Sequence, residues 1–231
     1  MFYTPWALIH NFFVRENRPL RKFDKEIVET LVDVMAASGP TLHTYAIPKE
    51  VIKNDDDSLT LVLKNGENYT IDAVIWAIGR RANISGFGLE KTGVELDDKG
   101  FIRTDEFENT SVEGIYALGD VNGKLELTPV AVKAGRQLSE RLFNHKPNTK
   151  MDYTDVATVI FSHPAIGSIG YSEEKAIEEF GADKVKVYRS NFTPMYTALG
   201  KHRQPSKMKL VTLGEKEKSL VYMESDTVSM K

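Results

Sequence analysis

The sequence predicts an α/β chain that gives way to an α+β C-terminal region, and three observations carry that expectation. Short apolar runs of strand length alternate with helical stripes through the first 150 residues. Within them, Gly114–Arg136 joins one such run to a well-started helix through the dipeptide Gly119-Asp120. Beyond a linker at Pro147–Lys150, several strands gather around one acidic-start helix.

Taken in order, Asp24 to Ser38 places Ile27, Val28, Leu31, Val32 and Met35 on one helical stripe, with Asp24 as N-cap and Gly39 just past the end. Leu59–Leu63 and Tyr69–Ile71 flank Asn65-Gly66 as a hairpin, and Val74–Ile78 reads as a buried strand ending at Gly79-Arg80. Residues 83–109 are turn-rich with short strands. Gly114–Leu118 reads as another buried strand. Thr128 as N-cap and Pro129 at the first helical position then open an amphipathic helix. After the linker, Thr158–Phe161, Val185–Phe192 and Met208–Leu213 read as strands. Ser172 caps a helix whose Ala176, Ile177 and Phe180 face inward.

At 231 residues and 41% hydrophobic content, the chain can bury a sizeable core as one large domain or two small ones. Thirty basic against 33 acidic residues give a net charge of −3 without a long single-sign run, which argues against nucleic-acid and membrane-surface partners. With no apolar run of spanning length and no basic start before a small-residue cleavage site, the expected setting is cytoplasmic. Cysteine is absent, which excludes a disulfide framework, a zinc-thiolate site and a cysteine nucleophile within this chain.

Gly119-Asp120 sits where a ligand would meet the end of a strand. Glycine lets backbone approach a ligand closely, and the carboxylate after it accepts charge-assisted hydrogen bonds from sugar-type hydroxyls. The helix opening at Thr128 directs free N–H groups and a positive dipole end toward the same place, favouring an electron-rich group. Near the N-terminus, Arg15, Arg18 and Arg21 put three guanidinium groups within seven residues. Such permanently charged, bidentate donors suit a phosphate monoester. His163-Pro164 has no acid nearby in sequence until Glu173, and His10, His43, His145 and His202 show no ligand-like or catalytic pairing.

The segment GIYALGDVNGKLELTPVAVKAGR closely resembles the second flavin motif of the pyridine nucleotide disulfide reductases. The resemblance implies partial FAD/NAD(P)-binding Rossmann-like domains followed by an α+β interface (dimerisation) domain. The corresponding segments are 1–82, the C-terminal part of an NADPH domain; 83–150, a central FAD segment; and 151–231, a truncated interface domain. By the resemblance, Asp120 holds the ribityl chain of FAD, the helix at Thr128 points at the flavin pyrimidine, and Glu126 lies near the nicotinamide.

Arg15 and Arg21 fall where NADPH-dependent glutathione reductases hold the 2′-phosphate, whereas NAD-using lipoamide enzymes carry an acid in that region. Trp76–Arg80 resembles the return to the FAD domain, with Arg80 reaching toward NADPH. Thr158–Gly167 and Phe192–Tyr196 resemble the interface domain, the latter in its glutathione reductase form. Val159 would then touch NADPH, while Arg136, Phe161 and Met195 would help shape the site for glutathione disulfide, in a homodimer. Core packing or surface roles remain open for those last three. A trypanothione, mercuric or lipoamide enzyme and a noncatalytic remnant are the alternatives.

The family's N-terminal FAD loop, redox-active cysteine pair, NADPH glycine loop and terminal His-Glu pair have no counterpart in these 231 residues. The chain alone is therefore expected to be inactive, with no catalytic residue to name. Permitted codons let Met1–Phe12 and Val221–Lys231 be read, in shifted frames, as continuations of the family pattern. The two ends, 1–12 and 219–231, are accordingly expected to be foreign to the ancestral fold.

Overall fold

The computed structural model describes residues 10–200, 203–215 and 218–226, the side chains of Ser38 and 221–226 excepted. His202 and, of the two ends expected to be foreign, residues 1–9 and 227–231 lie outside the described residues. The chain divides into two compact units. One holds the described residues up to Ile75 together with those from Asp155 onward, and the other spans Trp76–Thr154.

In the first unit, strand β1 (Asn11–Phe13) leads through a basic loop to helix α1 (Lys25–Ser38) and back to β2 (Thr41–His43), which pairs with β1 in parallel. This is the strand–helix–strand crossover expected of an α/β chain. Asp24 caps α1 as the sequence indicates, its Oδ1 accepting the Ile27 N–H at 3.3 Å. Gly39 ends it, and a Cβ there would lie 3.0 Å from the Met35 backbone. Phe13 stacks on His43 at 4.6 Å, and Tyr69 meets both rings edge-on.

Tyr69 belongs to an antiparallel sheet of β3 (Pro48–Lys53), β4 (Leu59–Leu63) and β5 (Asn68–Ile71). Gly66, at φ 92°, makes the predicted hairpin turn, whose closure is completed by Leu63 N–H donating to the Glu67 carbonyl at 2.9 Å. Strand β3 was not predicted: its charged, largely exposed residues obscure the alternation on which strand recognition depends.

The rest of this unit is a five-stranded antiparallel sheet: β6 (Thr158–Ile160), β7 (Ala165–Gly170), β8 (Val185–Phe192), β9 (Ser206–Leu213) and β10 (Lys218–Asp226). Its order is β6-β7-β10-β9-β8, so β10, drawn from the segment expected to be foreign, takes the central place, with a bulge between Ser219 and Val221. Helix α1 and helix α3 (Glu173–Phe180) both pack on this sheet, joining Ile27, Leu31, Ile166, Ala176 and Val211 in one buried cluster. Ser172 caps α3 as predicted. Ile177, predicted to face inward, is partly exposed instead; a helix of two turns resting on a sheet presents only a narrow inner stripe, and Ala176 and Phe180 occupy it.

In the second unit two expected strands do not form. Val74–Ile78, which crosses the boundary between units, has no strand partner among the described residues, and Ile75 and Ile78 are 89% and 79% exposed. A buried parallel-type strand requires a ladder beside it, so apolar composition alone does not make one. Gly114–Leu118 likewise contributes only an isolated bridge, Tyr116 to Asn109. It leads into a 3-10 turn, Gly119–Asn122, and then into helix α2 (Thr128–Phe143).

The sheet unit is organised around one buried ammonium. Lys209 on β9 is 2% exposed, and its Nζ lies 2.9 Å from both carboxylate oxygens of Asp24, 2.6 Å from Glu173 and 3.1 Å from Glu26. Asp24 Oδ2 also accepts the Glu173 N–H, so the starts of α1 and α3 meet at one carboxylate. Arg189 bridges Glu26 and Glu173 at 2.7 and 2.6 Å. Burial alone would raise the Glu26 pKa, but hydrogen bonds from Arg189, Lys207 and Lys209 prevail and bring it to about 2.

Lys209→Met leaves three clustered carboxylates without their ammonium and is expected to destabilise the chain by about 3–5 kcal/mol in urea unfolding. Combining it with Asp24→Asn should give less than the sum of the two losses; strict additivity would contradict the shared network. A depressed folded-state pKa stabilises above the unfolded value and loses that contribution as pH falls. Stability on the order of 3 kcal/mol at most should thus disappear between about pH 4.5 and 2. The decline should be shallower in Glu26→Gln, and equal slopes would contradict the assignment.

Candidate functional site

Three residues singled out from the sequence meet in the second unit. Arg80 donates through Nη1 to Asp120 Oδ2 at 3.2 Å and through Nη2 to Glu126 Oε2 at 2.6 Å. The guanidinium fork thus spans the turn after Leu118 and the approach to α2. All three side chains are substantially exposed, so the triad adds about 0–1 kcal/mol per pair to stability and exchanges readily for other partners.

Asp120 is held from below. Gly119, at φ 75°, packs so closely on α2 that a Cβ would lie 3.1 Å from Ala131 Cβ, and Gly123 ends the turn against the ring of Phe101. Asn122, buried, donates through Nδ2 to Glu108 Oε2 at 2.8 Å and to the Ala117 carbonyl at 3.3 Å. Glu108 is itself buried; it also accepts from the Tyr153 hydroxyl at 2.8 Å and pairs with Lys124 at 3.3 Å. Burial, then the neighbouring Glu108 carboxylate, pushes the Tyr153 phenol up to about 12. Glu108, Asn122 and Tyr153 were not singled out from the sequence, because nothing in a Glu, an Asn and a Tyr spread over 46 residues marks them as one cluster.

Thr128 is exposed, but it is the first helical residue rather than the cap. Leu127, in extended conformation, occupies the cap position and makes no side-chain capping bond. With Leu127 as cap, the α2 N-terminus has no side-chain acceptor for its leading N–H groups, which is the condition under which a helix start receives a ligand's electron-rich atoms. An exposed carboxylate on a rigid turn and an uncapped 16-residue helix beside it fit one wall of an FAD site, the first for hydroxyls and the second for an electron-rich ring edge.

Arg136 lies on α2 two turns beyond Thr128 and is exposed. A cavity of 660 Å³ in the same unit, lined by Thr104, Lys124, Gln137, Lys150 and Tyr153 among others, includes none of the predicted residues. In the first unit, Arg15 and Arg21 stand on the loop between β1 and α1. Glu16 Oε1 lies 3.9 Å from Arg15 Nε and 3.1 Å from Arg21 Nη1. Arg18 instead folds back and donates to the carbonyls of Leu20, Arg21 and Phe23 at 3.3–3.5 Å. Val159 is on β6, Phe161 just after it and 81% exposed, and Met195 opens the short helix α4 (Met195–Ala198) and is 91% exposed. His163 is exposed, and among the described residues no three His, Asp or Glu side chains form a metal site.

Comparison with known proteins bears on these features. Residues 12–135 match the family profile described as pyridine nucleotide-disulphide oxidoreductase, and residues 156–221 match the dimerisation domain of the same family. Among solved structures, the chain resembles the HOCl-induced flavoprotein disulfide reductase RclA from Escherichia coli, with a TM-score of 0.81 at 18% identity over 94% of this chain and 49% of that one. The Cu(II) complex of RclA gives a TM-score of 0.84 at 17% identity, over 97% and 50%. The chain thus spans about half the length of these structures, and at such identity the likeness concerns the fold. The two family matches together cover most of the sequence, and the chain belongs to the pyridine nucleotide-disulphide oxidoreductases.

Proposed function

We propose that this chain supplies the second FAD-binding segment, part of the NADPH-binding region and the interface domain of a cytoplasmic, homodimeric glutathione-disulfide reductase. The observation that carries the reading is the Arg80–Asp120–Glu126 cluster beside the uncapped start of α2, in a chain of this family. FAD, when bound, supplies two-electron chemistry between a nicotinamide and a disulfide. Asp120 accepts hydrogen bonds from the ribityl hydroxyls. The Thr128 end of α2 offers N–H groups to the pyrimidine edge. Arg80, which pairs with both Asp120 and Glu126, orients the nicotinamide side together with Glu126.

Support for NADPH over NADH comes from Arg15 and Arg21, whose guanidiniums share one carboxylate and so converge closely enough for one phosphate. Val159 offers a backbone contact to the nicotinamide nucleotide. For glutathione disulfide, the support is the Phe192–Tyr196 sequence and the exposure of Phe161, Met195 and Arg136, which leaves these side chains free to meet a substrate or a second subunit. Without a cysteine, the polypeptide has no thiol to carry electrons to that disulfide.

The assay is direct: the purified chain is mixed with FAD, freed of unbound flavin, and followed for NADPH oxidation in the presence of glutathione disulfide. Retained flavin absorbance with no glutathione-dependent turnover is expected. Turnover by this polypeptide alone would overturn the account of its chemistry, and flavin retained equally well by an Asp120→Ala variant would overturn the assignment of the Asp120 wall.

A further inference from the structure

The arginine loop carries its own anion. Of the three guanidiniums between β1 and α1, Arg18 is committed to three backbone carbonyls and braces the loop. Arg15 and Arg21 remain outward, with side chains 72% and 49% exposed, and both face a single oxygen, Glu16 Oε1. A carboxylate between two guanidiniums occupies the position a tetrahedral oxyanion takes between the same groups. The pairs are exposed, so they add little to stability and their main consequence is electrostatic.

We propose that Glu16 is a specificity-determining residue that sets the affinity of the arginine pair for the 2′-phosphate of NADPH by competing with it. This rests on the reading of Arg15 and Arg21 as the 2′-phosphate site. A phosphate monoester arriving there brings nearly two negative charges to within a few ångströms of the Glu16 carboxylate. The carboxylate must turn away toward water, or remain and repel. Either course weakens a ribose 2′-phosphate selectively and leaves a 2′-hydroxyl nucleotide almost untouched. Glu16 therefore narrows the preference that the two arginines create, and keeps nucleotide binding sensitive to ionic strength.

The test uses the intact chain, titrated at low salt with adenosine 2′,5′-bisphosphate and, separately, with 5′-AMP, and followed by nitrogen-15 NMR of the arginine Nε–H signals. Glu16→Gln, an exposed and nearly isosteric change, should bind the bisphosphate about three- to tenfold more tightly and 5′-AMP equally well. The difference should shrink as salt is raised. Arg21→Ala should weaken the bisphosphate alone. If Arg21→Ala weakens binding but Glu16→Gln leaves it unchanged or weaker, the competition is wrong while the phosphate site stands. If the bisphosphate shifts neither arginine signal in any variant, the phosphate site itself is wrong and the competition falls with it.

Discussion

One ammonium, the Nζ of Lys209, determines how the sheet unit is put together. It sits where the beginnings of α1 and α3 reach β9, and without it the fully buried carboxylate of Asp24 would face the partly exposed carboxylates of Glu26 and Glu173 with no ammonium between them. Asp24 meets three demands at once: it caps α1, accepts the first N–H of α3 and binds the ammonium. Apolar contacts among Ile27, Leu31, Ala176 and Val211 supply area beneath this joint. The ionic joint supplies register, because only one placement of each helix start brings its acid to Lys209.

The charges of the second unit follow the opposite rule. Arg80, Asp120 and Glu126 are paired but wet, and contribute little to holding the fold. The buried polar work there is done one layer down by Glu108, Asn122 and Tyr153, which fix the turn so that the Asp120 carboxylate faces outward. A hydrogen-bonded, largely buried support beneath an exposed, exchangeable pair is how a rigid turn can present a charge to a ligand without rearranging.

Much of this was legible in the sequence where the signal is local. The caps at Asp24 and Ser172, the Gly66 turn and strands β4, β5, β8 and β9 follow from residue type and spacing over a few positions. Arg80, Asp120 and Glu126 stood out through motif likeness rather than periodicity, but that they pair with one another is visible only in the fold. What escaped depends on distant partners. Val74–Ile78 has strand composition but no neighbour to pair with among the described residues, and Lys209 reads as an ordinary exposed strand lysine until two helix starts that lie 149 residues apart, the farther of them 185 residues from Lys209, are brought to it. The Thr128 cap failed for a smaller reason: Leu127 already adopts the extended backbone of the cap position, and Thr128 is drawn into the first turn.

The central claim is that Asp120, on its braced turn, holds the ribityl hydroxyls of FAD. Equilibrium titration of FAD fluorescence with the wild-type chain and with Asp120→Ala tests it most directly. Saturable quenching that weakens by about tenfold or more in the variant, as loss of a hydrogen bond to a charged group implies, is the predicted result. Equal affinities for the two proteins would contradict it.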